Sequence, residues 1–364
     1  MNFDFSDDQT LLRKTARDFL TEHAPLSLCR AVLESDAPHS DTLWKGVAEL
    51  GWLGTAIPEE YGGAGFGRLE LAVMAEELGR ALAPIPFASS IYLAAEAILL
   101  AGSQAQKQHY LPKLASGESI GTFAHAEKPG DTGPVTATFT NGTLTGTKIP
   151  VPDGDVAHCA VVTARQGKDL VLVLVDLSAR GVTRQPVKSI DPSRSLASLR
   201  FDATPAQLLG DAATGAAALQ KLLDRAAILV AFEQIGGATR AFEMTREYCL
   251  SRYAFGRPIA SFQAIKHRLA DLYVEIELAR SNAYYGAWAL GTDSPELPVA
   301  ACGARASATD AFDLASQEMI QLHGGVGYTW EFDCHLFYRR AKYLGALLGG
   351  AYQWREQLIQ RLEA

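Results

Sequence analysis

The alternation of helical and strand-rich segments is the feature that most constrains how this 364-residue chain can fold. Up to about residue 118, apolar side chains recur at the three- to four-residue spacing that is typical of helices. From about 119 to 210, short runs of strand-forming residues alternate with turn residues, and beyond about 215 the helical spacing returns. We therefore predict an α+β chain with an N-terminal helical domain (1–118), a middle β domain (119–212) and a C-terminal helical bundle (213–364).

Individual elements can be placed within this order. Ser6 and Gln9 have the spacing of a capping box at the start of a helix. Asn141-Gly142, with strand formers on both sides, indicates a two-residue β-hairpin. The predicted helices include Leu69–Ala83, Ile91–Ala101, Leu222–Ala238, Phe242–Arg252, Phe262–Leu290, Val299–Leu322 and Ala341–Leu362. The predicted strands are Val135–Phe139, Thr143–Thr147, Ala160–Thr163, Leu170–Val175 and Leu199–Phe201.

Composition excludes several classes of function. The net charge is −8 and no block of Lys or Arg is present, which argues against a nucleic-acid partner. The five cysteines are scattered and never form a C-x-x-C pair, so we expect reduced thiols and neither a disulfide framework nor a metal site. No cationic leader precedes an apolar run, and no apolar run reaches the ~18 residues of a membrane span. These observations predict a cytoplasmic protein without a membrane partner.

Two motifs in the C-terminal segment contain residues that can bind a phosphate-bearing ligand. The first is Arg252-x-x-Phe255-Gly256-x-Pro258-Ile259, with Gln263 eight residues beyond Phe255; the second is Gln321-Leu322-His323-Gly324-Gly325-Val326-Gly327-Tyr328. A guanidinium supplies a planar fork to phosphate, and a glycine pair lets backbone amides approach a ligand closely. Each motif alone is also compatible with a surface arginine, a helix-terminating glycine pair and a core phenylalanine.

Together, the motifs resemble those of the acyl-CoA dehydrogenase family, and the order of elements agrees with that family along essentially the whole chain. The resemblance implies a C-terminal four-helix bundle and an FAD held across a subunit interface. It implies that Arg252, Phe255, Gln263, Gln321, Gly324 and Gly325 contact FAD. The implied reaction is α,β-dehydrogenation of an acyl-CoA thioester, with electrons passing to an electron-transferring flavoprotein.

The family's catalytic base is missing from both of its usual positions. The basic run Arg339-Arg340-Ala341-Lys342 is present, but its register puts Leu348 where the family has a proton-abstracting Glu. In another branch the Glu lies twenty-nine residues before the Phe of the first motif, and that position is Ala226 here. Neither side chain can remove an α-proton.

Glu233 is the remaining candidate base. It follows the apolar run from Ala226 to Phe232 and lies seven residues beyond Ala226, hence on the same helix face two turns further on. A buried acid is costly unless it is paired or used. Two interpretations stay open: Glu233 is the base, or it pairs with a cation on a neighbouring helix and organises the bundle.

The β domain also departs from the family pattern. His125-Ala126-Glu127 has Ala126 where the family has Thr, and the segment from Gly146 to Pro152 lacks the Trp that shields the flavin. His-Ala-Glu resembles a divergent bacterial branch that acts on steroid side-chain thioesters. Whether this chain's own β domain holds a flavin therefore stays open.

Three functional hypotheses follow. We favour a base-lacking subunit that completes the FAD site of a related catalytic subunit in an α2β2 assembly for lipid or steroid catabolism. The second hypothesis is a self-sufficient homo-oligomeric dehydrogenase that uses Glu233. The third is a flavin monooxygenase or oxidase on the same fold, which requires no α-proton base.

Overall fold

The computed structural model describes residues 6–130 and 133–363. The described chain forms two compact units. One unit contains the sheet and comprises residues 31–67 and 84–226, and the other comprises residues 6–30, 68–83 and 227–363. The predicted fold class is confirmed, because helices precede and follow a central sheet domain and the C-terminal part is a helical bundle. The three domain boundaries stay a prediction.

Helices occupy the chain before the sheet. The predicted capping box is confirmed. The Ser6 hydroxyl accepts a hydrogen bond from the Gln9 backbone amide, and the Gln9 side chain accepts one from the Ser6 backbone amide. The predicted helix Ile91–Ala101 forms, but it begins as a buried π-helix, Ala88–Ala95. The α-helices of this part are α1 (Asp7–His23), α2 (Leu26–Leu33), α3 (Asp41–Glu49), α4 (Arg68–Arg80), α5 (Glu96–Ala101) and α6 (Gln104–Ala115).

The middle of the chain forms an eight-stranded sheet with the order β6-β7-β3-β2-β4-β5-β8 and with β1 paired in parallel to β4. The predicted hairpin at Asn141-Gly142 is confirmed, and it joins β2 to β3. β1, β6 and β8 were not predicted, because they lack the dense run of β-branched residues seen in β4 and β5. The strands are β1 (Gly121–Ala124), β2 (Thr138–Thr140), β3 (Thr143–Pro152), β4 (Cys159–Gln166), β5 (Asp169–Asp176), β6 (Val182–Val187), β7 (Leu196–Pro205) and β8 (Gln207–Leu209).

The C-terminal helices differ from the prediction at two places. α7 (Gly215–Ser251) is continuous, so the predicted break after Ala238 is wrong. The predicted single helix Ala341–Leu362 is also wrong, since the chain forms α10 (Cys334–Ala346) and α11 (Ala351–Glu363) with a left-handed turn at Leu348 and Gly349 between them. The other two helices are α8 (Gln263–Gly291) and α9 (Leu297–His323), and the two-stranded hairpin β9 (Tyr253–Ala254) and β10 (Arg257–Pro258) joins α7 to α8.

Close packing at three glycines explains why α7 continues past Gly236 and Gly237. A Cβ added to Gly79 of α4 would lie 1.8 Å from the carbonyl oxygen of Glu233, and one added to Gly236 of α7 would lie 1.8 Å from that of Glu76. A Cβ on Gly237 would meet the ring of Phe312 at 2.5 Å. The glycines therefore permit close helix packing, and the energy of that packing outweighs their low helix propensity.

The described residues contain neither a membrane-spanning helix nor a cluster of metal ligands. Within residues 6–130 and 133–363, no helix has the length and apolar character needed to cross a membrane. The same part of the chain contains no group of three or more His, Cys, Asp or Glu side chains that could hold a metal ion.

Candidate functional site

The hairpin after α7 carries the first motif. The Arg252 amide donates to the Tyr248 carbonyl (2.8 Å), so the chain leaves the helix at Arg252. Phe255 and Gly256 have φ values of +54° and +79°, as in the two-residue turns that match the twist of a hairpin. A left-handed phenylalanine costs about 1 kcal/mol or more. Phe255 is nevertheless 96 % exposed at the tip of this turn.

The start of α8 supports the hairpin. The Arg257 guanidinium lies 4.1 Å from the centre of the Phe262 ring, and the Phe255 ring meets Phe262 edge-on at 6.3 Å. Gln263 is the first residue of α8 and its side chain is exposed. Phe255 and Gln263 therefore project from the same short segment.

The second motif terminates α9. Gly324 is the C-cap, with φ +64° and ψ −142°, a conformation that is essentially restricted to glycine. Ideal Cβ atoms on Gly324 and Gly325 would meet no atom within 4 Å, whereas one on Gly327 would lie 2.4 Å from the Ile320 carbonyl oxygen. Gly327 is thus required by packing, and Gly324 and Gly325 border open space.

A cavity of about 540 Å³ brings the two motifs together. Its wall includes four residues that the sequence singled out, namely Arg252, Gln321, Gly324 and Gly325. Phe255 and Gln263 are not part of this wall. The remaining wall residues are Tyr248, Ile259, Ile265, Arg268, Leu322, His323, Val326 and Thr329.

His323 and Tyr248 also border a second cavity of about 490 Å³. Their rings stack at 4.2 Å, and Nδ1 of His323 lies 2.6 Å from the Met319 carbonyl oxygen. Because that oxygen can only accept, Nδ1 carries the proton and Nε2 keeps its lone pair. Burial lowers the pKa of His323, although the bond to Met319 opposes this shift. The imidazole is therefore neutral near pH 7.

Two family models match the chain on both sides of its sheet. The model for the acyl-CoA dehydrogenase N-terminal domain matches residues 6–118, and the model for the C-terminal domain matches residues 213–362. The chain belongs to the acyl-CoA dehydrogenase family. Members of this family are flavin-dependent oxidoreductases.

Similar proteins extend over nearly the whole chain. It is 36 % identical over 359 residues to the acyl-CoA dehydrogenase IpdE2 of Mycobacterium tuberculosis, a match that covers 98 % of this chain and 97 % of that protein. It is similar to a variant of the Tcur3481-Tcur3483 steroid ACAD, with a TM-score of 0.89 and 32 % identity over 98 % of each chain. It is also similar to the ChsE4-ChsE5 complex of Mycobacterium tuberculosis, with a TM-score of 0.91, 28 % identity, and coverage of 100 % of this chain and 99 % of that one.

The 540 Å³ cavity has the chemistry that the phosphates of FAD require. Arg252 and Arg268 provide two guanidinium groups, and Gln321 provides an amide donor. The open space beside Gly324 and Gly325 is where a phosphate could reach backbone amides. The residues present thus fit the dinucleotide part of this family's cofactor.

Position 348, where the acyl-CoA dehydrogenase base is expected, holds an apolar side chain in a well-defined turn. Leu348 is half-buried with φ +62°, and its carbonyl oxygen accepts the indole N–H of Trp354 at 3.1 Å. The alternative position, Ala226, is fully buried in α7. Neither position carries an acid.

Glu233 lies on α7 and is 3 % exposed. Its backbone contacts α4 at Gly79, and it does not belong to the walls of the two cavities described above. The ring of Phe312 fills the space beside Gly237, so that this space holds a neighbouring helix and leaves no room there for a ligand. The role of Glu233 as base stays a prediction.

The β domain has a buried polar cluster around Lys148. The buried Lys148 ammonium donates to Glu127 (2.8 Å), to the Thr163 hydroxyl (3.1 Å) and to the His125 carbonyl (3.1 Å). Burial alone raises the pKa of Glu127, but hydrogen bonds from Lys148, Thr136 and Ala137 lower it to about 2. Glu127 is therefore an ionised structural partner of Lys148 near pH 7.

Two cavity residues were overlooked in the sequence. Tyr248 lies four residues before Arg252, on the same face of α7, and Arg268 lies three residues after Ile265 on one face of α8. Arg268 lines the cavity while contacting Glu318 at 3.4 Å. Helical spacing from Arg252 would have identified Tyr248, whereas Arg268 has no such spacing from a residue that the sequence singled out.

Proposed function

We propose that this chain is the base-lacking subunit of an acyl-CoA dehydrogenase. It completes the FAD site of a related catalytic subunit in an α2β2 assembly. The observation that carries this proposal is Leu348, which occupies the position of the base in a turn fixed by hydrogen bonds. Removal of an α-proton from a thioester requires a carboxylate, and the alternative position is Ala226.

This chain contributes binding groups to the shared site. Arg252 and Arg268 balance the phosphate charge, and Gly325 gives the phosphates access to backbone amides. The exposed Phe255 projects from its hairpin and contacts the neighbouring subunit or its cofactor. Bound FAD would supply the acceptor for the hydride of the substrate β-carbon, and Arg252, Arg268 and Gly325 would hold its phosphates. An electron-transferring flavoprotein then takes up the electrons.

The β domain supports an asymmetric assembly. Ala126 replaces the family's threonine, and no Trp is present from Gly146 to Pro152. Lys148 and Glu127 instead pair with each other, and Glu127 also accepts a hydrogen bond from the Ala137 amide just before β2. We infer that the flavin ring is held by the β domain of the catalytic subunit, while this chain reaches its dinucleotide part.

The relatives support the class of substrate. One similar structure is a steroid ACAD, and another is a complex of two proteins, ChsE4 and ChsE5. We infer that the substrate is an acyl-CoA thioester from lipid or steroid-side-chain catabolism.

A self-sufficient homo-oligomer is the second candidate, because Glu233 is an almost fully buried acid on α7. In that case Glu233 is the base, and each chain holds its own FAD.

Flavin content distinguishes the two candidates. The full chain is purified alone and after co-expression with related subunits that carry Glu at the position of Leu348, and FAD per chain is measured from the visible spectrum. We expect little FAD in the chain alone and FAD in a co-purified assembly. One FAD per chain in the protein purified alone would contradict the proposal and favour Glu233.

A further inference from the structure

Arg305 of α9 is a buried cation without a buried counter-charge. It is fully buried, and within residues 6–130 and 133–363 no carboxylate lies within ion-pair distance of it. Burial lowers the pKa of its guanidinium to about 9. Buried charges in proteins are normally paired with opposite charges. The location of Arg305 therefore calls for a specific physical reason.

The guanidinium of Arg305 donates hydrogen bonds to the backbone just before Leu348. Its Nη2 donates to the carbonyl oxygens of Leu344 and Leu347 (2.6 Å to Leu347), at the carboxyl end of α10. Its Nη1 donates to Gln234 of α7 (2.6 Å) and to Thr309. The last carbonyls of a helix carry partial negative charge, so they partly compensate the cation. Arg305 thus connects α7, α9 and the end of α10.

The turn beyond α10 is fixed from its other side as well. The indole N–H of buried Trp354 donates to the Leu348 carbonyl, and the Gly350 amide donates to the Gln353 side chain at 2.8 Å. Leu348 has φ +62°. Strained residues of this kind persist where the surroundings over-determine them, and they cluster at functional sites.

We propose that Arg305 is a positioning residue that holds the turn 347–350 as a preformed seat for a carboxylate at position 348. This chain keeps the seat although it carries leucine there. The inference rests on the proposed function, because that function identifies position 348 as the place of the missing base. Only the acidic side chain has been lost, and the backbone that would present it remains in place.

This proposal predicts an unusual response to a charge substitution. A glutamate in place of a half-buried leucine ordinarily destabilises a protein, since its charge loses hydration. Arg305 donates to the carbonyl of Leu347, so Leu348→Glu adds a negative charge at the residue that follows the contact of a cation with no carboxylate partner. The penalty of Leu348→Glu should therefore be smaller when Arg305 is present than when it is removed.

A double-mutant cycle on the full chain tests this coupling. Unfolding equilibria are measured for wild type, Leu348→Glu, Arg305→Met and the double variant, with Leu348→Gln as the uncharged control in both backgrounds. We expect Arg305 to favour Glu over Gln at position 348 by about tenfold in the folding equilibrium, as for a nearby opposite charge. Equal effects of Glu and Gln in both backgrounds would overturn the proposal.

A second measurement remains decisive if Arg305→Met does not fold. The chain is labelled with 5-fluorotryptophan, and Trp354→Phe assigns the fluorine resonance of Trp354. We expect Arg305→Lys, which keeps the charge but loses the two-pronged donor, to shift that resonance, whereas Arg246→Lys at an exposed position of α7 leaves it unchanged. An unmoved Trp354 resonance in Arg305→Lys would show that Arg305 does not position the turn. Neither measurement needs FAD or a partner, so a failure here is distinguishable from a failure of the proposed function, which flavin content tests.

Discussion

The end of α9 and the end of α10 belong to the same compact unit, but they retain different parts of a dehydrogenase site. At the end of α9, exposed polar groups and bare glycines border a cavity of about 540 Å³. At the end of α10, Leu348 occupies a turn that three side chains hold by hydrogen bonds to its backbone. Ligand binding and proton transfer are thus separable properties of one fold, and this chain keeps the groups for the first.

Arg252→Ala tests the binding half of this comparison. Removing a charge-assisted hydrogen bond to phosphate costs about 1.5–3 kcal/mol, so we expect FAD affinity of the assembled protein to fall by roughly 10- to 100-fold. Fluorescence titration of FAD into the apo-assembly measures the change. The control is Arg246→Ala, which removes an exposed arginine of α7 outside the cavity. Equal FAD affinity in the two variants would remove Arg252 from the site.

Glycine at position 348 tests whether the second region is strained. The free energy of unfolding of Leu348→Gly should be about 1 kcal/mol higher than that of Leu348→Ala, because glycine adopts φ +62° without steric conflict. The matched pair at Leu347, where φ is −63°, should give the opposite order. Urea denaturation measures all four variants. The same order at both positions would mean that the turn relaxes.

Protonation of His323, at the end of α9, should have a smaller effect, which is on stability. Its folded pKa lies below the ordinary 6.5, so the unfolded chain binds the proton more readily. Stability contributed by neutral His323 is therefore full above pH 6.5 and falls as the pH drops through 6.5 toward the folded pKa. Between about pH 7.5 and about pH 5.5, wild type should lose more thermal stability than His323→Gln. Parallel melting curves across that range would contradict this assignment.

Glu233→Gln should have the least effect on catalysis. If the partner supplies the base, turnover per bound FAD in the assembly should change by less than about threefold. If Glu233 is the base, turnover should fall by at least about 100-fold. Single-turnover bleaching of the flavin by an acyl-CoA measures this difference. A fall of that size would show that Glu233 is the base and that the chain has a self-sufficient site.

Local sequence signals predicted much of the fold but not its long-range contacts. The Ser6 capping box and the Asn141-Gly142 hairpin depend on adjacent residues, and both formed as predicted. The predicted break in α7 was wrong because Gly236 and Gly237 serve packing against α4 and Phe312, which the sequence alone does not reveal. The break at Leu348 was missed although Gly345, Gly349 and Gly350 lie around it. Buried donors from α9 and α11 hold that turn.

The candidate site could be predicted only in part, because its residues come together through long-range contacts. Arg252 and Gln321 belong to separate motifs, and the structure brings them to one cavity, while Phe255 lies outside its wall. Tyr248 and Arg268 join that wall through helical spacing alone. Arg305 carried no signal, since an arginine within a helix gives no indication that it is fully buried.

The reciprocal glycine contact between α4 and α7 restricts how this chain can change over evolutionary time. Any side chain at Gly79 would collide with the backbone at Glu233, and any at Gly236 would collide with the backbone at Glu76. A single substitution at either position must therefore move a whole helix, so a mutational path through these positions requires several simultaneous changes. The backbone that carries Glu233 is consequently among the parts of the molecule least free to drift, whatever its side chain does.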